Sequence, residues 1–138
     1  VTGLKPVPLA AAAAAPASGA HKLTRVSIIC KEERFAMLRD TMAAIGVTGM
    51  TVSSVMGCGT QLGKVGQYRG VKMSMNLLPY VQVDIVVSKV NPALVVAAAQ
   101  KCLRTGNSGD GKIFLTNVDH VIKVRTGEQD YDALQDDN

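Results

Sequence analysis

Between Tyr80 and Val90 the chain puts Val81, Val83, Ile85 and Val87 at every second position, with Gln82 and Asp84 between them. Side chains of an extended strand point to opposite faces in turn, so this stretch reads as a strand with one dry face and one wet face. The remaining patterns supply partners for it. In KEERFAMLRDTMAAIG, Phe35, Leu38, Met42 and Ile45 fall on one stripe of a helix that Gly46 is placed to end. In NPALVVAAAQKCLRTG, Asn91 suits an N-cap, Pro92 the first helical position and Gly106 the close. LTRVSIIC, with Val26 and Ile28 on one face, and GMTVSSVMG read as strands, and KIFLTNV with HVIKVRTG as the final strand material. The order β-α-β-β-α-β predicts an α+β fold of the ferredoxin-like, split βαβ kind. Its middle junction, CGTQLGKVGQYRGVKMSMNLLP, is glycine-rich and weakly periodic. Loops beyond about 12–15 residues are uncommon in compact domains and usually functional.

A chain of 138 residues suits one domain with its own core, and with no Trp, two Phe and three Tyr that core has to be aliphatic. The net charge of +4 permits anionic partners without choosing among nucleic acid, nucleotides and acidic metabolites. Cys30, Cys58 and Cys102 form no C-x-x-C pair, and His21 and His120 stand near no second ligand. Neither a disulfide framework nor a structural zinc site is expected, and a reducing compartment fits. No stretch reaches the about 20 apolar residues needed to span a bilayer, so no direct membrane insertion is expected. Residues 1–21 read as an Ala/Pro-rich flexible linker or tail, although VPLAAAAAAPASGA superficially resembles the end of a signal peptide. The chain opens on Val1, as a processed product or a domain cut from something longer would. The globular domain is expected over 22–138.

Two polar stretches carry the chemistry. RTGNSGDGKIF has Gly106, Gly109 and Gly111, with Arg104 and Lys112 beside them, but not the Walker A spacing. Glycines let backbone N–H groups converge on an anion, so a phosphate cradle is one reading and a solvent turn the other. In HVIKVRTG, Lys123 and Arg125 would share one face of a strand, either facing phosphates or simply solvated. A second glycine cluster, GCGTQLGKVGQYRG, holds Gln61 between Gly59 and Gly63. No nucleophile, general base or carboxylate pair is arranged for bond-making. Glu32 and Glu33 sit at a helix start, where the helix dipole explains them. The chain is therefore not expected to be an enzyme.

GMTV, YRG, RTG-x-x-GDGKIF and VIKVRTGE, in this order and spacing, resemble the PII nitrogen-regulatory signal-transduction proteins over about residues 23–134. GCG before the loop and YRGVK within it are most similar to PII proteins of the kind encoded beside ammonium transporters. The resemblance implies a compact homotrimer with nucleotide clefts between subunits and a long partner-reading arm, the T-loop. ATP and ADP are the implied signalling ligands, with Mg²⁺ and 2-oxoglutarate as further candidates. Carried over by position, Gly109, Asp110, Gly111 and Lys112 form the phosphate loop, and Lys123 and Arg125 the basic pair. Thr51 and Val86 lie near the adenine, Gly57, Cys58, Gly59 and Gln61 are further implied nucleotide contacts, and Gln61 is also the implied Mg²⁺ ligand. Tyr68, Arg69 and Gly70 are the implied partner contacts, with Arg69 plugging an ammonium transporter exit. Other nitrogen-metabolism regulators are further implied partners.

Several positions depart from the family pattern. Met73 and Val71 replace a modifiable tyrosine and serine, so control by those modifications is not expected. Tyr80 stands in place of a lysine that contacts 2-oxoglutarate, Thr60 and Leu62 in place of basic residues, and Asn107 in place of a loop lysine. Charge-assisted contacts are the stronger ones, so these changes weaken 2-oxoglutarate binding more than ATP/ADP sensing. They leave open an alternative, a PII-like sensor of another small anion or nucleotide, such as bicarbonate or a cyclic nucleotide, regulating a different transporter. An RNA-type sheet wants three stacking aromatics, and KIFLTNV offers one, so no nucleic-acid partner is expected. VTGLKP is similar to the cytoplasmic tail of ammonium transporters, which raises the possibility of a transporter fused upstream. The expected location is cytoplasmic, with recruitment to the inner face of the membrane.

Overall fold

The computed structural model describes residues 22–60 and 75–135. Residues 1–21, Gln61, Leu62, Tyr68, Arg69, Gly70, Val71 and Met73, all named above, lie outside the described residues. Four strands, β1 (Thr24–Lys31), β2 (Thr51–Thr60), β3 (Met75–Val87) and β4 (Lys112–Asn117), form one sheet in the order β2-β3-β1-β4. Each neighbouring pair is antiparallel. Helix α1 (Phe35–Ala44) joins β1 to β2, and α2 (Pro92–Leu103) joins β3 to β4. This is the ferredoxin-like arrangement that the element order predicts.

The alternation in β3 does what it requires. Val81, Val83, Ile85 and Val87 are buried beside Val26, Ile28 and Cys30 of β1. Leu38 and Met42 of α1 and Val95, Ala99 and Leu103 of α2 close over them, with Phe35 and Ile45 packed at the margin. Fully burying side chains of this size is worth about 1.5–3 kcal/mol each, so one helix-covered face carries most of the stability. The wet face carries Arg25, Ser27, Ile29 and Lys31 opposite Val86, Asp84, Gln82 and Tyr80. On that face Arg25 pairs with Asp84 at 3.4 Å, and Gln82 donates to Ser27 and Asp84.

The turn chemistry is also as the sequence predicts. The Asn91 side chain accepts the Ala93 N–H at 2.9 Å, and Gly46 leaves α1 at φ +97°. The helix boundaries differ at two ends. Lys31 is the last residue of β1, and Glu32–Arg34 make a 3-10 turn before α1. α2 stops at Leu103 with Arg104 extended, so Gly106 belongs to the following loop rather than to the helix cap.

Two other expectations are corrected. The junction between β2 and β3 is shorter than the sequence suggests, because the ladder runs on through Met56↔Pro79, Gly57↔Leu78, Cys58↔Leu77, Gly59↔Asn76 and Thr60↔Met75. Leu77 and Leu78 are exposed there, so no buried face imposes an alternation that a sequence reading could detect. Pro79 lies one residue beyond the last β1–β3 pair, Lys31↔Tyr80, where β2 is the strand that still borders β3 among the described residues, and sheet edges are where proline is found. HVIKVRTG, in turn, is not a strand. Lys123 donates its N–H to Glu128 O at 2.8 Å and accepts from the Gly127 N–H at 2.7 Å, folding the segment into a tight turn. Only the bridge Ile122↔Gln129 remains, and Val124 stands 82% exposed. The alternate-face argument for Lys123 and Arg125 therefore does not apply.

Candidate functional site

The loop from Thr105 to Gly111 connects α2 to β4, and Asp110 holds it in shape. Its carboxylate accepts the Thr105 N–H at 2.7 Å, the Gly106 N–H at 3.0 Å and the Thr105 hydroxyl. The Asn107 N–H donates to Thr105 Oγ1 at 3.2 Å. The loop's first three N–H groups are thus satisfied internally, while no acceptor among the described residues takes those of Ser108, Gly109 or Asp110. Successive free N–H groups in a glycine-rich turn are an anion-binding concavity.

The glycines differ in what they do. Gly111 has φ +108°, and a Cβ built on it would lie 1.8 Å from the Ile29 carbonyl oxygen, so only glycine lets β4 enter the sheet here. Gly109 has φ +95°, and its Cβ position lies 3.3 Å from Lys31 Cε and 3.6 Å from the Tyr80 hydroxyl. The Tyr80 ring lies across Gly57, where a Cβ would come within 2.6 Å of it. Glycine at 57 therefore makes room for the tyrosine that reaches the loop.

A groove of about 400 Å³ opens between the loop and α2, with Gln100, Arg104, Gly111 and Lys112 on its walls. Two cations, Arg104 and Lys112, thus flank the loop. The Asp110 carboxyl is held below its ordinary value of 3.8, chiefly by the Thr105 hydroxyl and then by the Thr105 N–H. A carboxyl depressed in the folded chain contributes stability that is fully present above the ordinary value and is lost as pH falls through the folded one. Asp110→Ala is accordingly expected to lower the melting temperature at neutral pH, with the difference from wild type closing only below pH 3.8. Thermal melts of both proteins from pH 7 to pH 3 check this, and a gap that closes near pH 6 would count against the clasp.

The structure brings Gly109, Asp110, Gly111 and Lys112 together in one loop and groove edge. The other sequence-predicted residues that are described do not line that groove. Thr51 pairs with Asp84 at one end of the β2–β3 ladder, and Gly57, Cys58 and Gly59 lie near the other. Val86 is on the wet face opposite Arg25, and Lys123 and Arg125 sit in the turn after β4, with Lys123 Nζ 3.6 Å from Glu128. Lys31 was not legible as a loop neighbour, because its proximity to Gly109 depends on the β1–β4 register, which pairs Ile29 with Lys112. Among the described residues no group of three His, Cys, Asp or Glu could hold a metal ion.

The family model of the nitrogen regulatory protein P-II matches residues 23–128. The chain belongs to the PII family. It is 40% identical over 113 residues to the nitrogen regulatory PII-like protein of Bacillus subtilis, covering 82% of this chain and 97% of that protein. To the nitrogen regulatory protein GlnK of Escherichia coli K12 it is 38% identical, covering 79% and 97%. Among solved structures, a B. subtilis GlnK–ATP complex matches with TM-score 0.71 and 36% identity over 82% of this chain and 96% of that one. A citrate-bound PII of Arabidopsis thaliana matches with TM-score 0.65 and 33% identity, covering 81% and 92%. The fold of this PII chain is shared across these relatives, and its Thr105–Lys112 loop falls inside the matched region.

Proposed function

We propose that this PII chain is a trimeric signalling protein rather than an enzyme, and that ATP and ADP compete for clefts built around the Thr105–Lys112 loop. The observation that carries this reading is the Asp110-clasped loop, with N–H groups at Ser108–Asp110 that no acceptor among the described residues takes and two cations on its groove. Similarity to a GlnK–ATP complex supports the choice of nucleotide. A single chain offers an open groove, and Lys123 and Arg125 are not on it. A neighbouring subunit would supply a further wall, which favours the trimer. Occupancy is read out through the T-loop, which includes residues 61–74, to an ammonium transporter or another regulator of nitrogen metabolism. This takes place in the cytoplasm, with docking at the inner face of the membrane.

A ligand moves such an equilibrium only by binding one loop conformation better than another. Mg²⁺ and 2-oxoglutarate remain candidate co-ligands, with Gln61 the proposed amide ligand of the metal. Tyr80 in the place of a lysine favours a second reading, a sensor of a different small anion.

Calorimetry with ATP and ADP, each with and without Mg²⁺ and 2-oxoglutarate, tests both readings. Competing heats from ATP and ADP are expected, and no heat from either nucleotide would remove the first reading. Binding of 2-oxoglutarate to Mg-ATP-loaded protein in the micromolar range would remove the second. Arg69→Ala is expected to leave nucleotide binding intact while abolishing capture of the ammonium transporter in a pull-down; retained capture would detach Arg69 from docking.

A further inference from the structure

The segment from His120 to Asp130 follows β4 and closes on itself. At its neck the Asp130 N–H donates to the Val121 carbonyl oxygen at 2.7 Å, and the Asp130 carboxylate accepts the Val121 N–H at 3.0 Å. Both carboxylate oxygens also lie 3.3 Å from His120 Nδ1. Asp130 has φ +56°, the one positive φ outside glycine among the described residues, and such a conformation persists where the surroundings hold it. His120 Nε2 is buried and has no hydrogen-bond partner among the described residues. A carboxylate only accepts, so Nδ1 carries the hydrogen, and a second hydrogen on Nε2 would be a buried donor without an acceptor. The ring is committed to Asp130.

What the neck controls is the turn beyond it. Lys123 exchanges backbone bonds with Glu128 and Gly127, and its ammonium lies 3.6 Å from Glu128, inside the turn. At the apex Val124 and Arg125 are exposed, and no ion pair among the described residues uses Arg125. Arg125 is therefore the cation that the turn presents outward, and it does not line the groove of its own chain.

We infer that His120 and Asp130 are positioning residues: their pair fixes the neck of the 120–130 turn, and thereby the place at which Arg125 meets the phosphates of a nucleotide held by a neighbouring subunit. The inference rests on the reading above, in which a neighbouring subunit supplies the further wall of the groove. A cation on a mobile arm has to be ordered when the ligand binds, whereas a fixed neck has ordered it beforehand.

The test is a double-mutant cycle on the full chain, read by calorimetry with ATP and by amide exchange. His120→Leu removes the donor, Asp130→Gly removes the carboxylate and keeps the φ, and Arg125→Ala removes the cation. His120→Leu and Asp130→Gly are each expected to weaken ATP binding about three- to tenfold, with faster exchange of the Lys123 and Gly127 amides. In the Arg125→Ala background the same substitutions should add less than about twofold, because the cation they position is gone. His120→Asn, whose amide nitrogen replaces Nδ1 as donor, should restore binding. Losses that add fully to that of Arg125→Ala would overturn the inference and make the pair a support of the fold. Unchanged ATP affinity in both neck variants, or in Arg125→Ala, would overturn it too. Wild-type protein that binds neither ATP nor ADP would remove the nucleotide reading itself, and the inference with it.

Discussion

Gly111→Ala is expected to lose at least about 3 kcal/mol of stability, a large share of the roughly 5–15 kcal/mol that holds a domain together. The methyl group would sit 1.8 Å from the Ile29 carbonyl oxygen and 3.0 Å from its carbon. Both are backbone atoms, so no side-chain rotation relieves the overlap. The φ of +108° adds strain of about 1–3 kcal/mol for any residue with a Cβ. Lys112, the next residue, pairs with Ile29 at the first rung of the β1–β4 ladder, so backing away from the clash breaks that rung. The other loop glycines provide the control. At Gly109 the contact at 3.3 Å is the far end of the flexible Lys31, and at Gly106 nothing lies within 4 Å. Alanine should therefore be tolerated best at 106, less well at 109 and worst at 111. Urea or thermal unfolding of the three variants reads the order directly, and a Gly111→Ala midpoint equal to that of Gly106→Ala would refute the close-approach argument.

What the sequence makes legible follows from which contacts leave a local trace. Val81, Val83, Ile85 and Val87 face a buried layer, so the core strand announces itself by period two. Asn91 and Gly46 act on backbone groups within a few residues of themselves, so their roles are equally local. The glycines of the α2–β4 loop are visible, but their division of labour is not. Gly111 is required by Ile29 of another strand, and Gly109 faces Lys31 and Tyr80. Asp110 looks like one more phosphate-loop residue, whereas its carboxylate is taken up by Thr105 and Gly106. The continued β2–β3 ladder was hidden because Met56, Leu77 and Leu78 are exposed and show no alternation. Lys123 and Arg125 follow the strand spacing without being in a strand, since the Lys123–Glu128 backbone bond closes a turn first.

Lys112→Ala is expected to weaken ATP binding at least tenfold, while the melting temperature of the nucleotide-free protein stays nearly unchanged. The side chain is exposed at the start of β4 and lines the groove beside Gly111, so its removal costs little in packing. Its pairing with Ile29 is through the backbone and survives in alanine. What is lost is a mobile ammonium next to a loop in which no acceptor among the described residues takes the Ser108, Gly109 or Asp110 N–H. A charge-assisted contact is worth about 1.5–3 kcal/mol, and about 1.4 kcal/mol corresponds to a factor of ten in affinity. Because the contact is to charge, part of the wild-type affinity should fall with added salt, and the variant should show a shallower salt dependence. Arg104, on the same groove, retains one cation in the variant, so binding is weakened rather than abolished. Calorimetry at two salt concentrations measures both quantities. ATP affinity equal to wild type at low salt would place the phosphates away from this loop, and the nucleotide cleft would have to be sought on another part of the sheet.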